Sequence, residues 1–241
     1  MHVITKWQNG LNWNATYFEN HDQPRFISRF SNAKNYRKEC AKMVAGLLLT
    51  LRGTPYIYEG QEIGMTNGDF KNLDEIVDIE SHTVDAMMQS LHFPKAFRWS
   101  QIRRTSRDNA RTPVQWNSGE GAGFTSGTPW LQNNRNYPDV NFEADMASDD
   151  GVRSFYKKMI AYRKASAVLR EGGFTELYAK GSVYMFEREH NGERLIAAMN
   201  FSGKSIPLPV KAEGAVEITN YPDAAAADAP LRAWEYRLIR A

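Results

Sequence analysis

The chain has 241 residues, 42% of them hydrophobic and 24% charged, with a formal net charge of +2. That length can bury a sizeable core in one large or two smaller domains, and the balance gives no sign of nucleic acid or an anionic membrane as a partner. A lone cysteine, Cys40, excludes an internal disulfide framework, and no run is long enough to span a membrane. Cys40 has no His/Cys cluster around it in sequence and is expected in the core. No signal peptide is visible, and the expectation is a cytoplasmic protein.

Met1 to Trp13 reads as the end of a helix and a loop, with Gly10 able to stop the helix. Ala15, Thr16, Tyr17 and Phe18 are β-formers in an apolar run, so a strand is expected over Thr16–Phe18. It runs into a dense polar cluster, Glu19-Asn20-His21-Asp22, and Pro24 then stops it. Ionisable side chains delivered together at the end of a buried strand are what a (β/α)8-barrel active site requires. The competing reading is a solvated turn after an edge strand. Asn32–Asn35 offers N-caps for a helix from Tyr36 to Leu51, whose apolar positions Cys40, Met43, Val44, Leu47, Leu48 and Leu51 recur at helical spacing. Arg52-Gly53 ends it, and Pro55–Tyr58 reads as a short buried strand. Strand, helix, strand in this order is one βαβ unit of a parallel sheet.

Residues 65–106 read as an insertion with helical patches at Glu75–Ile79 and Val84–Leu91. Ala110–Asn141 is a long loop rich in Gly, Asn, Ser and Pro. Trp116, Phe124, Trp130 and Tyr137 are its expected anchors, which makes it an ordered functional loop rather than a linker. Ser148 or Asp149 should cap a helix from Val152 to about Lys164, burying Val152, Phe155, Tyr156, Met159 and Ile160. Beyond Gly172-Gly173 the apolar period changes to two. Strands are expected at Phe174–Tyr178, Val183–Arg188, Arg194–Asn200, Ser205–Val210, Ala215–Asn220 and Leu231–Arg240, with a hairpin turn at Asn191-Gly192. The fold class is therefore α/β followed by all-β. Residues 1–172 are expected to hold the last strands and helices of a (β/α)8 barrel, and residues 173–241 an antiparallel β-sandwich domain.

Three stretches carry a resemblance. Asn20-His21-Asp22-Gln23-Pro24-Arg25 resembles the last short motif of the α-amylase superfamily of glycoside hydrolases. Gly53-Thr54-Pro55 through Met65-Thr66-Asn67 resembles the barrel strand that follows, and Ser106-Arg107-Asp108-Asn109-Ala110-Arg111-Thr112-Pro113-Val114-Gln115-Trp116 completes the order. Within the superfamily the chain is most similar to the oligo-1,6-glucosidase, dextran glucosidase and α-glucosidase branch, and it resembles only the last part of such an enzyme. The resemblance implies retaining hydrolysis of α-glucosidic bonds in short oligosaccharides, without an organic cofactor. It makes Asp22 the carboxylate that stabilises the transition state, and His21 a hydrogen-bond donor to the same sugar. Arg107 is favoured over Arg111 as the arginine at that subsite, and Glu80 is a contact to the leaving sugar, with a solvated helix face as its alternative. For Asp22 the alternative is a structural ion pair with Arg25 or Arg107. Tyr58 and Met65 are expected to pack, and Trp116 and Trp130 to anchor their loop, with stacking on a sugar as the alternative for the two tryptophans. Two positions depart from the commonest pattern: Glu19 stands where Asn or Asp is frequent, and Glu59-Gly60-Gln61 reverses the usual Gln-Gly-Glu.

A retaining glycosidase needs two carboxyl groups about 5–5.5 Å apart, a nucleophile and an acid/base. In the family both come from strands before the Asn-His-Asp motif, and neither motif occurs in this sequence. Glu59 and Glu62 belong to a later strand's motif and cannot stand in for them. The chain is thus expected to hold half an active site and to be inactive alone. No carboxylate run has calcium-loop spacing, so no metal site is expected. The expected partners are an oligosaccharide and the missing N-terminal part of the same enzyme, with self-association of the chain through its open strand edge. A non-catalytic amylase-like scaffold or binding protein is the alternative function.

Overall fold

The structure, a computed structural model, describes residues 2–31 and 33–241. Asn32, one of the expected N-caps, lies outside the described residues. The chain forms two compact units: Met1–Phe18, Ser31–Ile57 and Asp149–Ala241 make one, and Glu19–Phe30 with Tyr58–Ser148 make the other.

In the first unit, α1 (His2–Gly10) leads into β1 (Ala15–Thr16), which pairs in parallel with β2 (Thr54–Pro55). Both strands are shorter than the sequence predicts, although Tyr56 still donates its N–H to the Thr16 carbonyl at 2.8 Å. In chain order, α2 (Phe26–Phe30) and α3 (Ala33–Thr50) lie between them. Tyr36 has non-helical angles, φ −135° and ψ 32°, so the regular part of α3 starts where the periodicity begins. Residues 40–50 are buried on every side, Lys42 included, not only on the face that the periodicity marks. The reason is that α3 packs between α8 (Val152–Ala165) and the C-terminal sheet, and a helix covered all round is apolar all round. Lys42 sends its ammonium to Asp150.

Asp150 is thereby engaged, and the N-cap of α8 is Gly151, without a side-chain cap, instead of Ser148 or Asp149. The buried face of α8 is Val152, Phe155, Tyr156 and Met159 as expected, but Arg163 takes the fifth place instead of Ile160. Arg163 donates to the carbonyls of Leu49 at 2.8 Å, Leu51 at 3.0 Å and Gly53 at 2.6 Å, so it caps the C-terminal turn of α3.

After α9 (Ala167–Glu171) the chain enters β3 (Gly173–Lys180), β4 (Val183–His190), β5 (Glu193–Asn200), β6 (Ala215–Thr219) and β7 (Tyr236–Arg240). They form one antiparallel sheet of order β3-β4-β5-β7-β6. Asn191 and Gly192 both have positive φ, 51° and 84°, which is the hairpin geometry their sequence favours. Ser205–Val210 contributes only a single bridge, Ile206 to Leu231, so the second layer is irregular chain and not a second sheet. Its Ile206, Leu208, Val210 and Leu231 pack against Val183, Met185, Ile196 and Ile239. The opposite face of the sheet meets helices. The Tyr236 ring lies edge-on to Phe155 at 6.3 Å and sits directly over Gly46. Arg188 of β4 is fully buried and donates to the carbonyls of Thr50 (2.6 Å), Leu169 (3.2 Å), Gly172 (2.8 Å) and Gly173 (2.8 Å). Burial, followed by repulsion from Arg163 and Arg52, pulls its pKa down to about 9.

The second unit holds α2, α4 (Ile79–Ser90), α5 (Lys95–Thr105), α6 (Asp108–Arg111) and α7 (Phe142–Met146). Its core is Phe70, Ile76, Met88, Ile102 and Leu131. The helical patch expected at Glu75–Ile79 is absent. A 3-10 turn covers Leu73–Glu75, and Asp78 has extended angles as the N-cap of α4. The N–H groups of Val77 and Asp78 go to the Asp108 carboxylate, at 2.7 and 2.9 Å, which diverts them from helical bonding.

The loop Ala110–Asn141 is ordered, though mainly by buried amides and not by its aromatics. Gln115 donates to Val140 O at 2.6 Å and Asn136 Oδ1 at 3.0 Å, and Asn134 donates to Asn67 O at 2.8 Å. Trp116 does stack on Phe142 at 4.8 Å. Trp130, in contrast, is 69% exposed and anchors nothing.

Candidate active site

The site grows from a turn. Asn20 Oδ1 accepts the Asp22 N–H at 2.8 Å, an Asx turn that fixes the residue carrying the key carboxylate. Beneath it lies a buried ion pair. Arg25 is fully buried and donates to Glu19 Oε2 at 3.1 Å, to Glu59 O at 2.7 Å and to Ala110 O at 3.3 Å. Glu19 Oε1 accepts the first helical N–H of α2, from Phe26, at 2.7 Å. Burial raises the Glu19 carboxyl above its usual range, and Arg25 and the Phe26 N–H offset only part of that rise. This accounts for the glutamate at position 19, since both of its oxygens are used. It also removes Arg25 as a partner for Asp22. Tyr58 donates its hydroxyl to Ala110 O at 3.0 Å, with Arg25 over its ring at 5.0 Å, and Met65 is fully buried, so both pack as expected.

Above this floor Asp22 stays half exposed, at 48%. Its Oδ1 accepts from Arg111 at 2.9 Å and lies 3.7 Å from Arg107, while its Oδ2 is 3.3 Å from His21 Nε2. Arg111 also donates to the His21 carbonyl at 2.9 Å, so one guanidinium clamps both residues of the turn. The sequence favours Arg107 over Arg111, yet the structure brings both to Asp22, with Arg111 the nearer. Arg107 is held from the other side. It donates to Asp78 Oδ1 through Nε at 2.9 Å, and its Nη1 is 3.3 Å from Glu80 Oε2. His21, Asp22, Arg107 and Glu80 therefore lie in one connected network.

Two residues of that network, Asp78 and Asp108, went unrecognised in the sequence. Asp78 is buried and also accepts from Ser81 Oγ at 2.8 Å. Burial acts to raise its carboxyl pKa, but the Arg107 and Ser81 hydrogen bonds outweigh it and hold the group below 3.8. The Asp78 carboxylate in turn raises the Arg107 pKa. Asp-Ile-Glu-Ser is an N-cap signature, and that was the available signal for Asp78. Among the described residues no group of three or more His, Cys, Asp or Glu side chains could hold a metal ion. No described helix is long and apolar enough to cross a membrane.

The family model for the alpha amylase catalytic domain matches residues 1–172. The chain belongs to the α-amylase family. The amylase-family relatives include a probable oligo-1,6-glucosidase 2 of Bacillus subtilis (strain 168), 40% identical over 232 residues, covering 91% of this chain and 41% of the relative. The trehalose-6-phosphate hydrolase of Escherichia coli (strain K12) is 40% identical over 209 residues, covering 85% of this chain and 38% of that protein. Among amylase-family structures, isomaltulose synthase (PalI) from Klebsiella sp. LX3 superposes with a TM-score of 0.93 at 35% identity, over 99% of this chain and 45% of the other. The chain thus spans less than half the length of the relatives it matches. Its architecture is that of part of the amylase-family (β/α)8 barrel followed by a C-terminal β domain.

Proposed function

We propose that this chain is the C-terminal part of a retaining α-glucosidase acting on short α-linked gluco-oligosaccharides. One observation carries the reading: Asp22 is presented half exposed, with one oxygen fixed by Arg111 and Arg107 and the other beside His21. The anchored carboxylate keeps open lone pairs for a sugar's hydroxyls. Hydrogen bonds of this kind strengthen as positive charge develops at the ring, which favours an oxocarbenium-like transition state. His21, with 70% of its side chain exposed, is the accompanying donor, and Glu80 reaches the leaving sugar from the first turn of α4.

The nucleophile and the acid/base come, in this reading, from a segment before residue 1. The same reading divides the chain into barrel residues 1–172, with 65–106 inserted, and β-domain residues 173–241; the family match that ends at residue 172 supports it, while the compact units divide the chain differently, with 149–172 grouped with the β strands. The exposed apolar side chains of the first unit, Val3, Trp7, Leu11 and Trp13, suit a surface covered by that segment or by a second copy.

The test is complementation. The chain alone should not hydrolyse a chromogenic α-glucoside, whereas the chain mixed with a segment that completes the barrel should. Asp22→Asn should lower kcat of the complex by roughly two to three orders of magnitude, with the fold unchanged. Turnover by the chain alone, or a near-normal Asp22→Asn complex, would sink the proposal. Light scattering before mixing reports self-association.

A further inference from the structure

Away from Asp22, the second unit contains a cleft of about 510 Å³ whose lining includes Asp74, Glu75, Val77, Trp130, Gln132 and Asn133. Trp130 is the most exposed tryptophan of the chain at 69%, yet the two residues that follow it are anchored. The next residue, Leu131, is 3% exposed in the core with Phe70 and Ile102. The residue after that, Gln132, donates to Glu75 Oε2 at 2.9 Å. A large flat ring held on ordered backbone loses little freedom on binding.

We propose that this cleft is a second sugar site, an outer subsite for a neutral glucosyl unit of a longer gluco-oligosaccharide. The substrate class rests on the function proposed above; the site rests on the cleft itself. The C–H face of a pyranose ring stacks on the Trp130 indole. Its hydroxyls donate to the Asp74 carboxylate and accept from the second amide hydrogen of Gln132. Asp74 and Glu75 are the charged residues of the lining, and no cation faces them there, so an anionic sugar phosphate is disfavoured and a neutral polyol fits. Along the chain the cleft is one residue from the Asp22 network. Val77 lines it, and the following residue, Asp78, grips Arg107. Oligosaccharides of three or more units therefore gain a contact that a disaccharide at Asp22 does not reach.

The experiment labels the full 241-residue chain with 5-fluorotryptophan and titrates it with isomaltotriose, following the resonances of the six tryptophans by fluorine NMR. Isomaltotriose should move the resonance that is missing from Trp130→Phe. Trp130→Ala, with an unchanged far-UV spectrum, should bind at least about tenfold more weakly, the scale expected of an aromatic anchor. Asp22→Asn should keep the Trp130-dependent shift, which separates this site from the reading of Asp22. An immobile Trp130 resonance, unchanged affinity in Trp130→Ala, or glucose 6-phosphate binding as tightly as isomaltotriose would each overturn the proposal. Failed complementation with a persisting Trp130 shift would overturn the function proposed above and leave the sugar site standing.

Discussion

Gly46→Ala sets helix propensity against packing, and the geometry decides the winner. In the middle of α3, alanine should be favoured over glycine by about 0.8–1 kcal/mol, and burying one methyl adds about 0.8 kcal/mol. Against this, a Cβ on residue 46 meets Tyr236 Cγ at 2.5 Å and its two Cδ atoms at 2.6 Å. Ordinary carbon contacts lie at about 3.5–4.0 Å, so the ring must retreat by roughly 1 Å. Rotation about Cβ–Cγ gives no relief, because Cγ is on the rotation axis. The ring is fully buried, and its strand β7 is held between β5 and β6. Overpacking costs about 1–3 kcal/mol, occasionally more, and here three atoms clash at once with a pivot that cannot turn. The expected result is a net destabilisation of about 1–3 kcal/mol, read from urea unfolding with an unchanged m-value. Tyr236→Ala in the same chain, which removes Cγ and the ring together, should make Gly46→Ala neutral or stabilising against that background, giving a clear coupling in the double-mutant cycle. A stabilised single mutant, or no coupling, would refute the reasoning.

Arg188→Met should destabilise by roughly 3–5 kcal/mol in the same assay, because it strips donors from four carbonyls, three of them buried. Arg188→Lys should fall between Met and the parent. Asp78 has a folded pKa below its usual 3.8, so its contribution is present above about pH 4 and is lost as the pH falls through the lower folded value. Acid unfolding of Asp78→Asn should accordingly show a shallower pH dependence below pH 4, in the range where the parent loses stability; equal slopes would contradict the Arg107–Asp78 pairing. Asn134→Ala removes donors to Thr66 and Asn67, and should cost about 1–3 kcal/mol and speed hydrogen exchange in the Ala110–Asn141 loop. Unchanged exchange there would show that the amides do not order the loop.

What the sequence revealed is what depends on neighbours in the chain. Asn20 to Arg25 announces its turn by residue type, Asn191-Gly192 its hairpin, and Cys40 to Leu51 its helix by period. The failures share a cause: the deciding partner is far away in sequence. Lys42, on a helix that reads as apolar, is buried because Asp150, 108 positions away, takes its charge. Asp108 takes the N–H groups of Val77 and Asp78, and the patch at Glu75–Ile79 does not form. Arg163 and Arg188 look like solvated charges on a helix and a strand, because their acceptors are backbone carbonyls, which no side-chain pattern can show. Aromatic content in a loop indicates anchoring on average, but at Trp130 it is the neighbouring Leu131 that takes the inward place, and the indole is left exposed.

The cap that Arg188 provides also sets an order of events during synthesis. Thr50 and Arg188 are 138 positions apart. At about 5–20 residues per second, the ribosome needs roughly 7–28 s between the two. Through that interval the last turn of α3 is on the ribosome with carbonyls bonded to water, whose protein partners come later, and Arg163 arrives part-way to cover some of them. The helix is thus left frayed until its own strand β4 emerges, and any factor that binds nascent apolar segments has a window of seconds in which Leu47 to Leu51 is its target.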